Sequence, residues 1–93
     1  MLFTKEHLMS NDYNWSTRIN YELTRLPDRR AFDAKNGDQL IYLINSFGNS
    51  IGKLSARDGQ KLERLIKQSL PPDLKSEIAV FNWLKGRYLY YWN

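Results

Sequence analysis

The sequence predicts an all-α fold: a compact, single-domain bundle of about four helices that spans residues 1–93. Two observations lead to this prediction. Apolar residues recur at spacings of three and four in separate segments, which is the period of one face of an α-helix. Cap residues, glycines and prolines stand at the edges of these segments, where helices begin and end. A chain of this length can form one hydrophobic core without a metal or a disulfide, and it contains no cysteine.

The first predicted helix begins after the cap residues 10–12 and ends before Pro27. Its apolar face, at spacings of four, four and three, consists of Trp15, Ile19, Leu23 and Leu26. Residues 1–10 lack this periodicity, so we expect a loosely ordered amino-terminal segment. Residues 27–37 mix turn formers with charged residues and indicate a connection anchored by Phe32.

The second predicted helix has Asp38 as its N-cap and Gly48 as its carboxyl-terminal glycine. Its apolar face consists of Leu40, Leu43, Ile44 and Phe47. A short strand or hairpin around residues 38–54 is the alternative, because the run of apolar residues here is short. We favour the helix because the apolar set continues to Phe47 with a period near 3.6 and contains few β-branched residues.

The third predicted helix runs from the cap Ser55 to about residue 69 and is amphipathic. Its apolar side contains Leu62, Leu65 and Ile66. The opposite side is basic and contains Arg57, Lys61 and Arg64. Pro71 and Pro72 end this helix, and the fourth predicted helix begins at Asp73. The apolar face of the fourth helix consists of Leu74, Ile78, Phe81, Leu84, Tyr88 and Trp92.

Aromatic residues are concentrated at the carboxyl terminus, where they make up six of the last thirteen residues. Phe81 and Tyr88 continue the apolar face and are expected in the core. Trp83 and Tyr90 lie off that face, so the helix becomes apolar nearly all round towards its end. Because aromatic side chains are enriched at protein interfaces, we predict a protein-binding surface here, formed by Trp83, Tyr90, Tyr91 and Trp92.

The formal net charge of +4 arises in the second half of the chain. Residues 47–93 contain eight Lys or Arg and four Asp or Glu, whereas residues 1–46 contain six of each. The basic side of the third helix can contact phosphates, although Glu63 beside it should weaken the positive field. The alternative nucleic-acid-binding surface therefore comprises Arg57, Lys61 and Arg64, extended by Lys53 and Lys67.

Catalytic and cofactor chemistry has little support in this sequence. His7 is the single histidine and no thiolate is available, so a zinc or copper site would need carboxylates with one imidazole, a ligand set that these metals rarely use. Gly48, Gly52 and Gly59 match neither a Walker loop nor a dinucleotide-binding motif, so we expect no cofactor. The remaining catalytic alternative is a metal-independent ribonuclease using three residue types suited to that chemistry: Lys85, Arg87 and Tyr88.

The sequence thus favours a small non-enzymatic protein that binds a macromolecule, as an adaptor, inhibitor or regulatory subunit. The expected partner is another protein or a second copy of the chain, with nucleic acid as the alternative. No segment approaches the roughly eighteen apolar residues of a membrane span, and residues 1–11 lack the apolar core of a signal peptide. We therefore expect a cytoplasmic protein without membrane contacts.

Overall fold

A computed structural model describes residues 3–15, 26–52 and 54–91, except for the side chains of residues 88–91. A short 3₁₀ helix at Lys5–His7 precedes three α-helices: α1 (Gly37–Ile51), α2 (Ala56–Ser69) and α3 (Glu77–Tyr91). The described ranges contain isolated backbone bridges but no strand, which confirms the all-α class. They do not confirm the number of helices, because the first predicted helix falls mainly on residues outside them.

The alternative of a strand or hairpin around residues 38–54 is wrong, because α1 occupies most of this range. The helix begins two residues earlier than predicted, since the Asn36 side chain, not that of Asp38, accepts the Gln39 N–H. It also continues past Gly48 and ends at Gly52, whose φ of 96° lies in the left-handed region that favours glycine.

The predicted start of α2 is right, and that of α3 is wrong. Ser55 caps α2 as expected, because its side chain accepts the Asp58 N–H in a capping box. Asp73 does not begin α3, which starts at Glu77. The Ser76 hydroxyl accepts the Ala79 N–H at 3.2 Å and caps the helix, so α3 begins four residues later than predicted.

Helix α1 lies at the centre of the molecule and packs against both α2 and α3. Four of its apolar side chains are fully buried: Leu40, Leu43, Ile44 and Phe47. Leu62 and Ile66 of α2 and Val80, Phe81 and Leu84 of α3 complete this core. The Phe47 and Phe81 rings meet edge to face at 6.0 Å, which fixes the relative position of α1 and α3.

The amino-terminal segment, residues 3–15, contributes to the same core. Phe3 is fully buried, and its backbone N–H and C=O pair with the side-chain amide of Asn45 at 2.8 Å each. The Gln60 amide donates to the His7 carbonyl oxygen at 2.9 Å, so the segment follows α2. The apolar periodicity of the sequence did not predict these contacts, since they join residues far apart in the chain.

The connection that precedes α1 is held by a buried polar pair, Gln39 of α1 and Glu77 of α3. The Gln39 amide nitrogen donates to the Glu77 carboxylate and to the Ala31 carbonyl oxygen, both at 2.9 Å. Its amide oxygen accepts the Asp33 N–H at 2.8 Å. Since both side chains are buried, this network ties the connection to the amino-terminal ends of α1 and α3.

The contact between Phe3 and Gly59 gives a test of the packing. A Cβ atom at residue 59 would overlap the Phe3 ring, and this ring cannot retreat because Asn45 holds its backbone. We predict that Gly59→Ala lowers the free energy of unfolding by about 1–3 kcal/mol, measured by urea denaturation. The control is Gly86→Ala in α3, where a Cβ has nothing within 4 Å. This change should raise the free energy of unfolding by about 0.5–1 kcal/mol. Equal effects at the two glycines would contradict the contact.

Candidate functional site

Helix α3 carries two pairs of a cation and an aromatic ring, of which Trp83 with Arg87 lies on its outer side and Phe81 belongs to the core. Trp83 is half-buried and packs against the core with part of its surface. The Arg87 guanidinium lies 5.4 Å from the centre of the Trp83 ring, and the Lys85 ammonium lies 5.6 Å from that of Phe81. In each pair the cation is four residues after the ring, so helical geometry brings them together.

The described structure covers part of the predicted protein-binding surface. Of its four residues, Trp83 is described with its side chain. Residues 90 and 91 belong to the last turn of α3, but their side chains lie outside the description, as does the whole of Trp92. Arg87 was not predicted for this surface, although its spacing from Trp83 is the signal that identifies it.

The basic side of α2 faces outwards. Arg57, Lys61 and Arg64 are exposed, while Leu62 and Ile66 on the opposite side are buried. Neither Arg57 nor Arg64 forms an ion pair in the described part of the chain. These three side chains therefore present positive charge on successive turns of one helix.

The two marginal lysines of this surface differ from the central three. The Lys67 ammonium is 2.8 Å from the Asp12 carboxylate and 4.6 Å from the centre of the Tyr13 ring. Its charge is thus partly neutralised by the amino-terminal segment. Lys53 lies outside the described residues.

The sequence predicted that Glu63 lies beside the basic residues on the surface. Its side chain is instead 1% exposed and points inwards. Its carboxylate accepts the Met9 N–H at 2.8 Å, the Ser10 N–H at 3.2 Å and the Tyr13 hydroxyl. The three hydrogen bonds compensate the burial of the carboxylate and attach the amino-terminal segment to α2.

A cleft of about 430 Å³ opens where this segment meets α2. It is lined by one apolar residue and five polar or charged ones: Met9, Ser10, Glu63, Arg64, Lys67 and Gln68. Met9 is 58% exposed, and its sulfur lies 4.0 Å from the Arg64 guanidinium. The cleft thus combines an apolar wall with cations at its rim, a combination that suits an anionic ligand with an apolar part.

The electrostatics of the segment follow from its contacts. Hydrogen bonds from Lys67 and then Lys35 lower the pKa of Asp12 to about 2, so its carboxylate is ionised at neutral pH. Burial, followed by the hydrogen bond to Glu63, raises the pKa of Tyr13 above its ordinary value. Tyr13 therefore remains a protonated donor to the Glu63 carboxylate.

The described residues considered for catalysis make local structural contacts, and the Tyr88 side chain lies outside the description. The His7 ring accepts the Thr4 N–H at 3.0 Å through Nδ1 and lies beside the Phe3 ring, so it belongs to the amino-terminal turn. Lys85 and Arg87 lie against the rings of Phe81 and Trp83. Among the described residues, no cluster of His, Asp and Glu can hold a metal ion.

Comparisons with protein-family models, curated proteins and solved structures found no match for this chain. Within the described ranges, every helix is too short or too polar to cross a lipid bilayer. Functional inference therefore rests on the two outward surfaces, the aromatic side of α3 and the basic side of α2.

The link between Asp12 and Lys67 predicts a pH dependence of stability. Because the pKa of Asp12 falls from 3.8 to about 2 on folding, its contribution is present above pH 3.8 and disappears as the pH falls towards 2. We predict that Asp12→Asn is less stable than the parent at about pH 6 and that this difference shrinks below about pH 4. Urea denaturation at a series of pH values measures it.

The matched control is Asp73→Asn, which alters an exposed carboxylate that has no ion pair in the described part of the chain. This control should show no comparable pH-dependent difference. A constant difference between Asp12→Asn and the parent across the whole pH range would contradict the link.

Proposed function

We propose that this protein is a small non-enzymatic binding protein that recognises another protein through the aromatic surface at the end of α3. The observation that supports this proposal is the pairing of Trp83 with Arg87 on the outer side of the helix. Tryptophan, tyrosine and arginine are the residue types that most often dominate the binding energy of protein interfaces.

The placement of Trp83 suits a preformed contact point. One part of the ring packs against the core and holds its orientation, and the remaining part is exposed. A ring fixed in advance loses little conformational entropy when a partner covers it. Four further aromatic residues follow within nine positions, and three of them provide the material for an extended surface: Tyr90, Tyr91 and Trp92.

A second candidate function is nucleic-acid binding through the basic side of α2, extended by Lys67 and Lys53. The observation that favours it is the burial of Glu63, because a buried carboxylate does not reduce the positive charge of the exposed side of the helix. Arg57 and Arg64 are seven residues apart, which separates them by about 10 Å along the helix axis. The cleft beside Arg64 adds space for a sugar or a base.

The aromatic surface is tested by separating binding from folding. Because Trp83 contributes only part of its surface to the core, Trp83→Ala combined with Tyr90→Ala should leave the protein folded but unable to capture its partner. The measurement is affinity capture by the full-length protein from an extract of cells that express it, with circular dichroism as the folding check. Capture should resist nuclease treatment if the partner is a protein.

The comparison variant is Phe81→Ala, which removes a core ring that is 9% exposed. Loss of this ring should cost on the order of 3–5 kcal/mol of folding free energy. The interface proposal is wrong if the double variant unfolds as readily as Phe81→Ala, because the outer rings are then part of the core.

The basic surface is tested by reversing its charge. Since Arg57, Lys61 and Arg64 are exposed, changing all three to glutamate should leave the helical circular dichroism spectrum unchanged. Any binding to a fluorescent single-stranded or duplex oligonucleotide should disappear in this variant. In the parent protein, such binding should weaken steeply as salt rises, because phosphate contacts release counterions. Oligonucleotide binding that survives the triple reversal excludes this surface as the contact.

A further inference from the structure

Gly86 stands in the middle of α3, on its exposed side, without a structural reason within the described part of the chain. Its backbone is helical, since Gly52 is the one described glycine with a positive φ. A Cβ atom at residue 86 would have nothing within 4 Å. Glycine is a poor helix former compared with alanine. Neither backbone conformation nor internal packing therefore accounts for this residue.

The surface around Gly86 is a groove with charged walls. Lys85 and Arg87, its two neighbours in sequence, each extend towards the ring four residues earlier, and Gly86 itself is exposed. Asn82, which is exposed, lies one turn before Gly86 on the same side. We define the Gly86 groove as the floor formed by Asn82 and Gly86 with two walls, the Lys85 side chain and Trp83 with Arg87.

The shape of the groove fits a helix. Residues four apart on a helix define a row, and the ridge of a second helix packs into the groove along such a row. Without a side chain at residue 86, the backbones of two helices can approach to the short end of the usual 8–10 Å range. The exposed part of the Trp83 ring then covers one flank of the incoming helix, and the Lys85 side chain lies along the other.

The charge of the groove identifies the chemistry of its occupant. Both walls end in a cation, and residues 78–93 contain no Asp or Glu. A partner helix therefore meets positive charge on both flanks of its contact face. A second copy of α3 would place like charges against each other, which disfavours self-association through this groove.

We propose that the Gly86 groove docks a helix of a partner protein that carries acidic residues on both flanks of its contact face. This inference rests on the proposed function and adds the point of closest approach and the charge of the partner. The acidic flanks would pair with Lys85 and Arg87, while the ridge between them would occupy the space above Gly86.

The experiment is selection of a displayed library of helical peptides on the immobilised full-length protein. The peptides that are enriched should carry Asp or Glu on both flanks of one apolar ridge. Gly86→Leu fills the groove without a helix-breaking change, so it should weaken binding of a selected peptide at least about tenfold, or about 1.4 kcal/mol. The control Asn49→Leu places the same side chain on the exposed surface of α1, away from both candidate surfaces, and should leave binding unchanged.

A charge-reversed variant completes the design. Lys85→Glu combined with Arg87→Glu should lose the acidic peptides and, in a fresh selection, enrich peptides with Lys or Arg on both flanks. The groove proposal is overturned if the parent enriches no acidic helix or if Gly86→Leu binds as well as the parent. Self-association or oligonucleotide binding that is lost in Gly86→Leu also overturns it, because the occupant is then of another kind.

The outcomes distinguish this inference from the broader proposal. If Trp83→Ala combined with Tyr90→Ala abolishes peptide binding while Gly86→Leu retains it, the aromatic surface stands and the groove does not. If neither variant changes binding, both proposals fail together. Circular dichroism of each variant confirms that the helices remain intact.

Discussion

Two buried carboxylates, Glu63 on α2 and Glu77 on α3, determine where the described non-helical segments of this protein lie. A buried carboxylate is costly unless hydrogen bonds replace its water shell. Glu63 obtains them from two backbone N–H groups and a tyrosine hydroxyl of the amino-terminal segment. Glu77 accepts from the Asp28 N–H and from the Gln39 amide, which also holds the connection before α1. Each segment is thus held against the helix that carries its carboxylate.

The same burial sets the charge of the surface. Residues 47–93 contain four acidic residues against eight basic ones, and two of those four are the buried Glu63 and Glu77. The outer surface formed by this half is therefore more positive than its composition indicates. This effect makes both candidate surfaces more positive, because the two buried carboxylates do not neutralise exposed cations such as Arg64 on α2 and Lys85 on α3. An acidic partner, whether protein or phosphate, is the common expectation.

The sequence pattern predicted helices and caps, which depend on neighbouring residues. It did not predict contacts between residues that are far apart in the chain. The course of α2 and its cap at Ser55 were predicted because the capping box is local. The amino-terminal segment was not, because its hydrogen bonds to Glu63 span more than fifty positions. Glu63 itself follows Gly59 by four residues on the side of α2 that faces this segment, and that spacing was the available signal. For the candidate surfaces, helical spacing placed Arg57 and Trp83 outwards, whereas the bare position of Gly86 emerged only from the packing around it.

The most direct test of this account is hydrogen exchange of the backbone amides of Met9 and Ser10 in Glu63→Gln. Glutamine has the shape of glutamate but only one acceptor oxygen. Because the Met9 and Ser10 N–H groups donate to different oxygens of Glu63, the glutamine side chain cannot replace both hydrogen bonds. The account predicts that at least one of these two amides exchanges about tenfold faster or more, while amides in the middle of α1 keep their protection. Unchanged protection at both residues would contradict the claim that Glu63 holds the amino-terminal segment on α2.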